Sequence, residues 1–117
     1  MYSLTQKEKT LDAHIKKLLL QCRDVVNSEY PNAQIILYGS QATGRAGPDS
    51  DVDLLVLLDE PLPADKKRHI HDLLYDIALG EDVVISAIIK SIYKWNQPVS
   101  RATPLYQIIQ KEGIKVA

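Results

Sequence analysis

The stretch from Ile35 to Asp59, IILYGSQATGRAGPDSDVDLLVLLD, constrains this chain more than any other. A short apolar run ends at Tyr38, a Gly39-Ser40 pair follows, and after a polar loop a second apolar run opens with Asp51-Val52-Asp53. The pattern reads as strand, turn, loop and strand. Residues two apart in a strand share a face, so Asp51 and Asp53 project side by side with Cα atoms roughly 6.5 Å apart. Two carboxylates so placed repel each other unless a cation lies between them. Hard oxygen donors favour Mg2+ or Mn2+, and Mg2+ is usually held by one or two carboxylates plus substrate phosphates. Gly39 lets the backbone come close to a ligand, and the N–H groups of a short helix opening at Ser40 can cradle a phosphate. Arg45, the loop's only cation, is placed either to reach a triphosphate or to stay solvated. Ser50 either donates to a phosphate or only starts the strand.

Around this stretch the chain alternates helices and strands. Residues 1 to 4 carry no structural signal and are expected to be loose. Thr5 to Glu8 fits a capping box, and Leu11, Ile15, Leu18, Leu19, Cys22, Val25 and Val26 recur at helical spacing to about Ser28. Cys22 sits inside that stripe as a packed thiol. The strand from Asp51 to Leu58 becomes apolar on both faces beyond the Asp pair, which predicts a central place in the sheet. A second amphipathic helix is expected over residues 64 to 79, stopped by Gly80, and a third strand over 82 to 89. His69, His71 and Asp72 read as a solvated face and not a metal cluster, because residues two apart on a helix point to nearly opposite faces. The strand–helix–strand path favours parallel pairing. Thr103-Pro104 starts a last helix that stops at Gly113, with an extended tail after it. The expected class is α/β (α+β): a small mixed sheet with flanking helices, folded as one domain over residues 1 to 117.

Composition narrows the setting. Fourteen basic and fifteen acidic residues give a net charge of −1, which argues against a nucleic-acid partner held mainly through phosphates. One cysteine excludes an internal disulfide and fits a reducing compartment. No signal segment or apolar run of membrane-spanning length is present, so the expectation is a cytoplasmic protein without a membrane partner.

Gly39-Ser40, the ten residues Gln41 to Ser50, then Asp51 and Asp53 resemble the signature of the DNA polymerase β-like nucleotidyltransferase superfamily: Gly-Ser, ten residues, Asp-x-Asp. The small size is similar to the minimal nucleotidyltransferase (MNT) domains, and the segment from Pro104 to Ile114 resembles the ends of such chains. The resemblance implies a nucleotidyltransferase-like fold and nucleotidyl transfer assisted by Mg2+ or Mn2+. The donor would be a nucleoside triphosphate, ATP first among them. It also implies a partner, since no acceptor-binding domain is present. In this family that partner is a HEPN-domain toxin, which the MNT chain neutralises, in some pairs by transferring AMP to a tyrosine. A module that masks its partner by contact, and a small-molecule transferase completed by a separate chain, are the competing readings.

The superfamily usually carries a third carboxylate on a later strand, where it helps hold metal and deprotonate the nucleophile. Asp76, Glu81 and Asp82 lie near the right place. With the second and third strands parallel, Asp82 would lie beside Asp51 and Asp53 while Glu81 points away, so Asp82 is the expected third ligand. The alternative is that Asp82 only caps the strand. Ser86 is then the one polar residue in phase, and a serine cannot serve as base.

Overall fold

The computed structural model describes residues 1 to 117 and contains a five-stranded mixed sheet ordered β1-β5-β2-β3-β4. Its strands are β1 (Tyr2–Ser3), β2 (Gln34–Tyr38), β3 (Val52–Leu58), β4 (Ile85–Ser91) and β5 (Ile114–Lys115). Seven helices accompany them: α1 (Leu4–Lys7), α2 (Ala13–Glu29), α3 (Ser40–Thr43), α4 (Ala64–Gly80), α5 (Ile92–Trp95), α6 (Pro98–Arg101) and α7 (Pro104–Glu112). β2 and β3 are antiparallel, whereas β3 and β4 are parallel neighbours joined through α4. The expected fold class and the strand–helix–strand crossover are therefore both present.

Strand alternation divides the core into two layers. Val52, Leu54, Val56 and Leu58 face α2 and α4, where Leu18, Leu19, Cys22, Ile70 and Leu74 meet them in one buried cluster. Leu55 and Leu57 face the other way, with Ile36, and pack against Trp95 and Ile109 from α5 and α7. Both faces of β3 are covered over most of its length, as its uninterrupted apolar run requires. Asp53 lies on the α5–α7 face by the same alternation, at the N-terminal mouth of the strand. Cys22 is fully buried, and burial pushes its thiol up to about 12, so it packs as an inert apolar group. No helix is long and apolar enough to cross a membrane.

Three boundaries differ from the sequence expectation. Residues 2 and 3 form β1, parallel to β5, with Tyr2 opposite Ile114. The first helix is two helices: Ser3, not Thr5, makes a capping box with Gln6, and Asp12 then caps α2 by accepting from the His14 and Ile15 N–H groups. β4 begins at Ile85, three residues later than expected, because the chain first turns through Glu81 and Asp82.

Candidate active site

β2 delivers Tyr38 and Gly39 to the same end of the sheet at which β3 begins, and the antiparallel register sets Tyr38 opposite Asp53. Gly39 then leaves the strand at φ +76° and caps α3. A Cβ at that position would run into the Asp53 carboxylate, with Cγ only 3.2 Å away, so glycine is demanded both by the backbone and by the close approach of the acid. The Gly-Ser turn and the acid pair are thus in direct van der Waals contact. α3 leaves the N–H groups of its first residues without intrahelical partners, and they sit next to the acids.

Asp51 is exposed and Asp53 half-buried, and no cationic side chain pairs with either. Burial, and then the neighbouring charge of Asp51, push the Asp53 carboxyl above the ordinary aspartate range. Burial, and then the charge of Asp53, likewise raise the Tyr38 phenol, which lies beside the acids. Tyr38 is the residue that sequence reasoning missed, since the sequence marks it only as the end of a strand. Its position one residue before Gly39, at the mouth opposite an Asp-x-Asp strand, was the available signal.

The remaining predicted residues separate from this pair. Arg45 is an exposed residue of the loop; its Nε donates to Thr43 Oγ1 at 2.9 Å and its guanidinium stands 3.9 Å from Glu112. Ser50 is a loop former, with its Oγ accepting from the Gly47 N–H at 2.8 Å. Asp82 is not gathered with Asp51 and Asp53, and no three acidic, histidine or cysteine side chains anywhere in the structure converge as a metal site. It occupies a left-handed turn at φ +55° before β4, and lines a cleft of about 510 Å3 with Asp12, His14, Gly47 and Ser50. Neither Asp51 nor Asp53 lines that cleft. The expected strand phase failed because the turn breaks the alternation between Asp82 and Ser86. Ser86 is the β4 residue opposite Asp53. Glu81, the other nearby acid, bonds to Gln21 at 3.1 Å and His14 at 3.0 Å, and these contacts hold its carboxyl below the usual glutamate range.

Two unpaired carboxylates thus stand at the mouth of a mixed sheet, against a glycine turn followed by backbone N–H groups without intrahelical partners. The nucleotidyltransferase domain model matches residues 19 to 116, and the chain belongs to that family. Among solved structures it is similar to a crystal structure described as a toxin-antitoxin with AMP-PNP, with a TM-score of 0.58 and 19% identity. That similarity covers 91% of this chain and 73% of the other, and establishes a shared fold. No curated protein matches the sequence.

Proposed function

We propose that the protein is a metal-dependent nucleotidyltransferase. In this reading it transfers a nucleoside monophosphate, AMP first, from the triphosphate to a hydroxyl of a partner protein, and so acts in the cytoplasm as the antitoxin of a HEPN-type toxin. The observation that carries the reading is the unpaired Asp51–Asp53 pair pressed against Gly39, a donor set that fits Mg2+ or Mn2+. A bound divalent ion would neutralise the triphosphate and the developing charge of the pyrophosphate leaving group. Asp51 and Asp53 would hold that ion, and the contact with Gly39 fixes the Asp53 carboxylate in place. The Ser40 end of α3 offers N–H groups to the phosphates, and Arg45 can swing from Glu112 to reach them. The acceptor oxygen forms a bond to the α-phosphorus as the bond to the bridging oxygen breaks and pyrophosphate leaves. Its proton passes to a carboxylate of the acid pair.

A second reading has a specific observation behind it. The residue opposite Asp53 on β4 is Ser86, where a third carboxylate would complete the set. A chain with two acids in place of three retains the fold and nucleotide affinity while turning over slowly, and it would then neutralise its partner by contact. Intact mass spectrometry of a co-expressed HEPN-type partner separates the two. Catalysis predicts one or more added nucleoside monophosphates, absent with Asp51→Asn. A partner that is neutralised but unmodified would establish masking.

A further inference from the structure

At the C-terminal end of β3 and β4, three lysines that make no ion pair line one cleft. A cleft of about 720 Å3 runs between the entry to α4 and the exit of β4, lined by Lys67, Lys90, Lys94 and Tyr93 together with the Pro61–Pro63 turn. None of the three ammonium groups pairs with a carboxylate. Lys90 stands 5.8 Å from the Trp95 ring centre, a contact that orients it without neutralising it. The only carboxylate of the lining, Glu60, is engaged by Lys66 at 2.6 Å. The charge left in the cleft is therefore positive, on a chain whose net charge is −1. The 17-residue helix α4 adds to it, since Pro63 at its cap supplies no side-chain acceptor and the positive end of the helix opens on the same side. The volume is that of a small-molecule site. Lys90 lies opposite Leu57 and Ser86 opposite Asp53, which separates cleft and acids by four residues of strand, roughly 13 Å.

We propose that this cleft is a second, metal-independent anion site that takes a phosphate-rich small molecule, either a nucleoside polyphosphate or free pyrophosphate. Like charges on three neighbouring elements repel one another, and a polyanion that bridges them relieves that repulsion. Lysine binds phosphate as a point charge and needs no fixed fork geometry, which suits side chains arriving from α4, β4 and α5. The exposed Tyr93 ring gives a nucleoside a face to stack on, and free pyrophosphate has no use for it. Occupancy here is independent of turnover at Asp51 and Asp53. The site would thus let substrate or product level bias the protein without competing for the metal.

Calorimetric titration of the full chain in EDTA, with ATP, pyrophosphate and adenosine as probes, tests this. The Asp51→Asn/Asp53→Asn variant should bind ATP and pyrophosphate as wild type does, since no metal is required. Lys67→Gln with Lys94→Gln, both on exposed side chains, should weaken both ligands tenfold or more, while Lys67→Arg with Lys94→Arg retains them. Adenosine alone should not bind measurably. Tyr93→Ala that weakens ATP but not pyrophosphate identifies the ligand as a nucleotide; affinities for both that Tyr93→Ala leaves unchanged identify it as free pyrophosphate. Absence of phosphate binding in EDTA, indifference to the lysine pair in a folded variant, or tighter binding of a polyglutamate peptide than of pyrophosphate would overturn the assignment. Each outcome is read in EDTA, without the metal that the acid pair would hold, so it leaves the transferase reading to its own test.

Discussion

Gly39 and Asp53 form the smallest unit of the site, and each limits the other. Gly39 occupies a backbone region that side-chain-bearing residues adopt only under strain, and its open flank is filled by the Asp53 carboxylate. Gly39→Ala should therefore cost about 1–3 kcal/mol in urea unfolding and displace the acid, so that Mg2+–triphosphate no longer raises the melting temperature. A fully retained ligand response in Gly39→Ala would show that the contact is incidental. Asp53 also makes a pH prediction. Its folded carboxyl titrates above the unfolded value, so the folded state binds the extra proton between the two. Its contribution to stability is present below the ordinary aspartate range and is lost as pH rises through the raised folded value. In EDTA, Asp53→Asn should thus be more stable than wild type at neutral pH, and the difference should shrink toward zero as pH falls below the ordinary aspartate range. Urea midpoints of both proteins across that range measure it.

At the scale of elements, register decides which side chains can meet. β3 and β4 are parallel neighbours about 4.8 Å apart, and Ser86 is exposed directly opposite Asp53. Ser86→Asp would place a third carboxylate on the acid face. In metal-free buffer the added repulsion should lower the melting temperature, and saturating Mn2+ should raise it by more than in wild type. A variant with no greater metal response than wild type would argue that the mouth of β4 does not reach the site. The turn from α7 into β5 is a second constrained join: a Cβ on Gly113 would lie 2.5 Å from the Ile109 carbonyl and 2.9 Å from Ile36. Gly113→Ala should destabilise by about 1–3 kcal/mol, as overpacking does, without altering the acid pair.

The same elements show what the chain discloses on its own. β2 and β3 were legible as apolar runs, and α4 as an amphipathic period between Pro63 and Gly80. β1 was not, since two residues carry no period and their partner lies at the other end of the chain. The break between α1 and α2 was hidden because Leu11 keeps the helical stripe in phase across it, although Asp12 ends the pattern as a cap. The pair Asp51 and Asp53 could be read from spacing alone, whereas the third position depended on a turn. Asp82 in its left-handed conformation consumes residues that a straight strand would have used, and that moved the facing position from Asp82 to Ser86.

For the whole molecule, ligand binding at the acid pair must appear as stability, because the site joins β2, α3 and β3 across the centre of the sheet. A ligand that binds only the folded chain stabilises it by mass action, about 2.7 kcal/mol at a hundredfold excess over its dissociation constant. For a chain of this length that corresponds to a rise of roughly 10 °C in melting temperature. Mg2+ and ATP together should produce a larger rise than the sum of each alone, since the metal bridges carboxylates and phosphates. Asp51→Asn with Asp53→Asn removes two mutually repelling charges, so this variant should melt no lower than wild type without ligand. It should lose the Mg2+-dependent part of the shift and keep only what ATP confers in EDTA. Melting curves of both proteins under the four ligand conditions suffice to measure this. Wild type with no metal-dependent shift, for any of the four common triphosphates at millimolar concentration, would refute the site, because the unpaired acids would then have no cation to gain.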